Sequence, residues 1–174
     1  MTHTLDDRAE PSHLVADPGE LLAGQLDYYR ATLLQKLDGM PEAELRTSQL
    51  PSGWTPLELL HHLRHVERRW LCWGFLAEQV PDPWADDGPG GRWYVPDDVT
   101  AGQVRAEFTD QCEQSRAAAA GGRLEDRAAV GGRFPTSGDA PTLGWILLHL
   151  LQEYARHVGQ LDIVRELADG AVGE

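Results

Sequence analysis

The sequence predicts an all-α fold, a four-helix bundle with long crossover connections, and three observations support it. Four segments repeat apolar residues at helical spacing, each opens on a helix N-cap residue, and no strand-like alternation separates them. At 174 residues the chain is long enough to bury one core of ordinary size.

Residues 1–16 mix charge, Pro and His without periodicity and are expected to form a flexible N-terminal arm, with the bundle domain spanning residues 17–174. Asp17-Pro18-Gly19-Glu20 supplies an N-cap acceptor, a proline at the first helical position and a glutamate three residues after the cap. The first helix should run from Pro18 to near Asp38, stopped by Gly39. Residues 40–50, bounded by Pro41 and Pro51, are a connection with one helical turn. Thr55-Pro56-Leu57-Glu58 repeats the cap signature and opens a second helix to about Glu78. Residues 79–98 hold four prolines and a Gly-Pro-Gly-Gly run among Trp84, Trp93 and Tyr94, so they form a long connection suited to roofing a pocket. Thr100 caps a third helix to about Ala120, the Gly-rich residues 121–141 form a second long connection, and Thr142 caps a fourth helix to about Ala168.

The formal net charge of -13 repels phosphate backbones and anionic lipid headgroups, so no nucleic-acid or membrane partner is expected. Every apolar run is broken by charge or His well short of the roughly 20 residues a bilayer span needs. Cys72 and Cys112 are too few for a disulfide framework, and no signal-peptide pattern opens the chain, which points to the cytoplasm. Both cysteines fall at helical positions where a small apolar side chain serves. A monomer or homodimer is expected.

Successive side chains on a helix advance by about 100°. On the second helix Leu59, Leu63, Val66, Trp70 and Trp73 cluster within about 40° and define the core face; His62 lies about 60° from its centre, inside or at the edge of the buried arc. His61 points to the opposite side, and His65, about 120° round, stands either behind His62 or in solvent. On the fourth helix Leu143, Ile146, Leu150, Tyr154, Leu161 and Val164 share a face with His157, about 20° from its centre, while Glu153 lies about 60° off, flanked by His149 and Gln160.

Burying a carboxylate and an imidazole among Leu and Ile costs several kcal/mol (about that order) unless something compensates. One divalent cation compensates both, and two histidines with one glutamate form the set that zinc accepts when it keeps a position open for reaction. The plainer reading stands beside it: an inward histidine is more often a hydrogen-bonded core residue, and Glu153 with His157 can be a buried acid and base bonded to each other. Arg156 turns away from the core and reads as a surface residue.

The stretch Gly53-Trp54-Thr55-Pro56-Leu57-Glu58-Leu59-Leu60-His61-His62-Leu63, with Val66-Glu67-Arg68-Arg69-Trp70 after it, resembles the second-helix motif of the DinB-like superfamily. Residues 143–162, which hold His149, Glu153, His157 and Gln160, resemble the fourth-helix motif of its mycothiol-dependent branch, the maleylpyruvate isomerase-like and mycothiol S-transferase-like proteins. That resemblance covers the chain from Leu21 onward. It implies a bundle of DinB type with a metal triad at His62, Glu153 and His157. His149, one turn before Glu153, reads either as a group that orients a ligand or shuttles a proton beside such a metal or as an exposed histidine. The resemblance also implies a divalent metal, zinc by its donor set, and a mycothiol-like thiol as cosubstrate. Gln160 departs from the branch, which commonly has a second His there. The implied activity is a metal-dependent transferase that activates the thiol for attack on an electrophilic small molecule. The alternatives are a metal-dependent hydrolase, a thiol-dependent isomerase and a non-catalytic metal-binding protein of the same fold.

Overall fold

The computed structural model describes residues 9–172, so the first eight residues of the expected arm lie outside the described residues. Five α-helices follow in order: α1 (Pro18–Leu37), α2 (Glu42–Leu45), α3 (Pro56–Glu67), α4 (Ala101–Ala120) and α5 (Leu143–Asp169). α3 continues without a break into a π-helical segment, Arg68–Phe75. Among the described residues the only strand pairing is two isolated bridges, Asp87 with Trp93 and Arg127 with Thr142. The fold is an all-α bundle of DinB type, and the short α2 is the single turn expected between Pro41 and Pro51. No helix among the described residues is long and apolar enough to cross a membrane.

Each long helix starts where a side chain takes one of the backbone N–H groups that its first turn leaves free. Asp17 Oδ1 accepts from the Glu20 N–H at 2.8 Å. Thr55 Oγ1 accepts from Glu58 N–H while Glu58 Oε2 accepts from Thr55 N–H, at 3.2 and 2.8 Å, and Thr100 with Gln103 repeats this reciprocal pair. Thr142 Oγ1 accepts from Trp145 N–H. Gly170 ends α5 at φ 74, in the left-handed region that glycine enters without penalty.

α5 lies along α1, α4 packs on α3 and the π segment, and α3 also meets α5. The apolar stripe of α5 is buried as its periodicity predicts: Leu143, Ile146, Leu150, Tyr154, Leu161 and Val164 are all in the core. On α3 the expected face holds through Leu59, Leu63 and Val66 and then fails. Leu71, Cys72 and Phe75 turn inward, whereas Trp70 and Trp73 are only half-buried. The π turn is wider than the α turn, so the buried stripe changes phase at Glu67. The second helix also stops at Phe75 instead of near Glu78, and Ala77 sits at φ 55.

The π segment is held by the second long connection. Its Trp73 and Phe75 carbonyls accept from the backbone N–H groups of Arg133 and Ala129, at 3.1 and 2.9 Å. A Cβ on Gly74 would stand 2.9 Å from the Arg69 carbonyl oxygen, so this coil needs a glycine there. Behind it the core carries an ionic cluster. Glu67, fully buried, accepts two hydrogen bonds from Arg30 at 2.8 Å each and one from the Tyr154 hydroxyl at 2.7 Å. This cluster ties α1, the α3–π junction and α5 together.

Candidate metal centre

His62 reaches the centre from the middle of α3, and Glu153 and His157 reach it from successive turns of α5. Each offers one ligand atom, and these three atoms lie within 4.8 Å of one another, close enough to hold a single cation. His157 is buried, while His62 and Glu153 are partly exposed, so the cluster lies at the edge of the core with one side open.

The hydrogen bonds around the two histidines select which nitrogen faces the centre. His62 Nδ1 lies 2.8 Å from Asp86 Oδ2; a carboxylate only accepts, so Nδ1 carries the proton and Nε2 keeps its lone pair. His157 Nδ1 donates in the same way to Gln160 Oε1 at 2.9 Å. His157 Nε2 then faces Glu153 Oε2 at 3.2 Å. Two lone pairs held that close repel, and either a second proton on the ring or a cation between the atoms reconciles them. The residues therefore fit a divalent metal by the chemistry of their donor set, two nitrogens and one oxygen.

Asp86 is a residue of the candidate centre that the sequence did not mark. It comes from the first long connection, is completely buried, and also accepts from both terminal nitrogens of Arg69. Burial alone would raise its pKa, but the hydrogen bonds from His62 and Arg69 outweigh that and hold the carboxyl well below the usual range. It is a permanent anion behind His62. Helical arithmetic cannot reach a side chain in an irregular loop, and nothing in the Pro-rich composition singles out this aspartate from its neighbours.

The same loop supplies Trp93, whose ring stacks on His62 at 4.1 Å and meets His157 edge-on at 5.2 Å. Residues 79–98 thus roof the site, as their aromatic content suggested. His149 Nε2 stands 3.5 Å from Glu153 Oε1, and its ring is stacked on Trp145 and lies 4.4 Å from Trp70. Burial lowers the pKa of His149 and of His62, and the contact with His157 keeps Glu153 below the ordinary carboxylate range. Trp145 is half exposed and forms part of this wall.

His61 does turn away from His62, but both it and His65 are buried, because α4 and the first connection cover the far face of α3. His65 stands 4.0 Å from Asp86 Oδ1, behind the site, and neither of its nitrogens has a hydrogen-bond partner. Arg156 is exposed, as its angular position required.

A family model described as Mycothiol-S-transferase matches residues 21–170. The chain belongs to the mycothiol S-transferase family. No curated protein matches it at a meaningful level. The matched span takes in α1 from Leu21 onward, the four other α-helices and every residue of the centre, from His62 on α3 to Gln160 on α5. Gln160, which departs from the branch's usual His, meets His157 through its side-chain oxygen.

Proposed function

We propose that this protein is a zinc-dependent mycothiol S-transferase whose metal is held by His62, Glu153 and His157. The observation that carries the reading is the convergence of three ligand atoms within 4.8 Å, in a chain matched to that family over residues 21–170. A zinc ion held there would supply the positive charge that lowers the pKa of a bound thiol and favours the nucleophilic thiolate near neutral pH.

The protein's own residues set up that chemistry. Asp86 and Gln160 fix the rings of His62 and His157 so that Nε2 of each faces the centre. Trp93 covers one face of His62 and abuts His157 edge-on, shielding that side of the centre. His149, kept neutral by burial, presents Nε2 on the open side beside Glu153, where it can receive the proton that the thiol gives up. An electrophile then approaches along the wall of Trp70, Trp145 and His149.

Zinc-loaded protein, mycothiol and monochlorobimane test the reading together. Fluorescent conjugate should form at a rate proportional to enzyme, with no turnover when the thiol is left out. Turnover of an ester or amide without thiol would instead favour a hydrolase, which uses the same donor set to activate water. A metal-loaded protein that transfers no thiol to any electrophile would defeat the proposal.

A further inference from the structure

Arg133 occupies a position that the fold builds with care for its placement. Its backbone N–H is tied to the Trp73 carbonyl at 3.1 Å. A Cβ on Gly132 would collide with that same carbonyl and stand 2.7 Å from Ala77 Cα, so only glycine lets the connection lie this close to the π segment. The side chain is thereby laid over Trp70, with Cζ 4.1 Å from the ring centroid, and Trp84 and Trp73 stand 5.5 and 6.0 Å away.

Its charge is uncompensated. Arg30 is paired with Glu67 and Arg69 with Asp86, but among the described residues no carboxylate pairs with Arg133. Its Nη1 is enclosed with no hydrogen-bond acceptor. In a chain of net charge -13, a half-buried guanidinium without an anion is an anion-binding group awaiting a ligand.

The position of Trp70 says which ligand. Its ring carries Arg133 and also touches His149 at 4.4 Å and Trp145 at 5.4 Å, and His149 in turn meets Glu153. Arg133 and the candidate metal centre therefore lie at two ends of one aromatic surface. We propose that this surface is the electrophile subsite and that Arg133 binds a carboxylate on the electrophile, whose planar apolar body lies against Trp70 and Trp145. This rests on the transferase reading. Mycothiol itself carries no carboxylate, so the anion belongs to the second substrate.

The test compares para-(bromomethyl)benzoate with para-(bromomethyl)benzamide, each offered to zinc-loaded protein with mycothiol. In both, a sulfur–carbon bond forms as the carbon–bromine bond breaks; bromide leaves with the bonding pair and the thiol proton passes by way of His149 to water. The benzoate should be favoured by about 10-fold or more in kcat/KM, mostly through KM, as expected of one charge-assisted bidentate contact. In Arg133→Gln the ratio of the two should fall to near unity. Equal kcat/KM for the two in the unaltered protein, or a preference that survives in Arg133→Gln, would overturn the proposal.

Binding without turnover separates this proposal from the one beneath it. para-Toluate should quench tryptophan fluorescence saturably in the unaltered protein, with para-toluamide and the Arg133→Gln variant showing at least about 10-fold weaker saturation. Saturable toluate binding with no thiol transfer to any electrophile would sink the transferase and leave the anion subsite standing. Thiol transfer with no discrimination between benzoate and benzamide would do the reverse.

Discussion

His62 and Asp86 form a carboxylate–imidazole pair, Nδ1 to Oδ2 at 2.8 Å, that joins the middle of α3 to a loop 24 residues away. The pair settles the tautomer of His62 and makes its Nε2 more basic, which is what a metal ligand requires. Asp86→Asn keeps the shape but loses the charge, and its amide can present a donor as readily as an acceptor. Zinc affinity should fall by about 10- to 100-fold, as measured by competition with a chromophoric chelator. An unchanged affinity would show that Asp86 serves only to neutralise Arg69.

Gln160 plays the matching part for His157 with a neutral acceptor, at 2.9 Å. Gln160→Ala should weaken zinc binding by about 10-fold, the lower end of the range for such partners. Gln160→Glu should restore or exceed the original affinity, because a carboxylate holds the imidazole N–H more strongly. The two variants, measured in the same chelator competition, distinguish orientation of His157 from simple bulk at this position.

The buried cluster of Glu67, Arg30 and Tyr154 predicts a stability difference instead of a metal effect. Tyr154→Phe removes one hydrogen bond to a charged acceptor and should cost about 1.5–3 kcal/mol in urea unfolding. Glu67→Ala leaves the Arg30 guanidinium buried without its two bonds and should cost about 3–5 kcal/mol. A smaller cost for the second than for the first would show that water reaches Arg30 when Glu67 is gone.

Much of this architecture was legible in the sequence because local rules decide it. Asp17, Thr55, Thr100 and Thr142 cap helices on their own side-chain chemistry, and the stripe of α5 is a single uninterrupted period. His62, Glu153 and His157 could be selected by angle because each belongs to a regular α-helix. The π segment was not legible. Its wider turn is favoured by the connection at residues 129–133 docking on the Trp73 and Phe75 carbonyls, a long-range contact that leaves no local mark. Trp70 was accordingly placed in the core when it lines the site. Asp86 and Arg133 escaped for a related reason, since both sit in loops where no periodicity fixes direction. His65 was left undecided because the cover over the far face of α3 is tertiary.

His65 also gives the protein a defined response to acid. Burial, more than its neighbours His61, Arg64 and Arg69 and against the pull of Asp86, lowers its pKa from 6.5 to about 3. The folded state therefore refuses a proton that the unfolded chain accepts. This stability is fully present above pH 6.5 and is lost as pH falls from there toward about 3, at up to about 1.4 kcal/mol per pH unit for one proton. Urea unfolding at pH 7 and pH 5 should show a smaller loss in His65→Gln than in the unaltered protein. Equal losses would place the acid sensitivity elsewhere.

The central claim is that His62, Glu153 and His157 jointly hold one metal ion. Elemental analysis after zinc loading and gel filtration tests it most directly, on the unaltered protein and on Glu153→Gln and His157→Ala, with circular dichroism confirming that each remains helical. The account predicts about one zinc per chain in the unaltered protein and little in either variant. Zinc retained equally by all three, or by none of them, would contradict it.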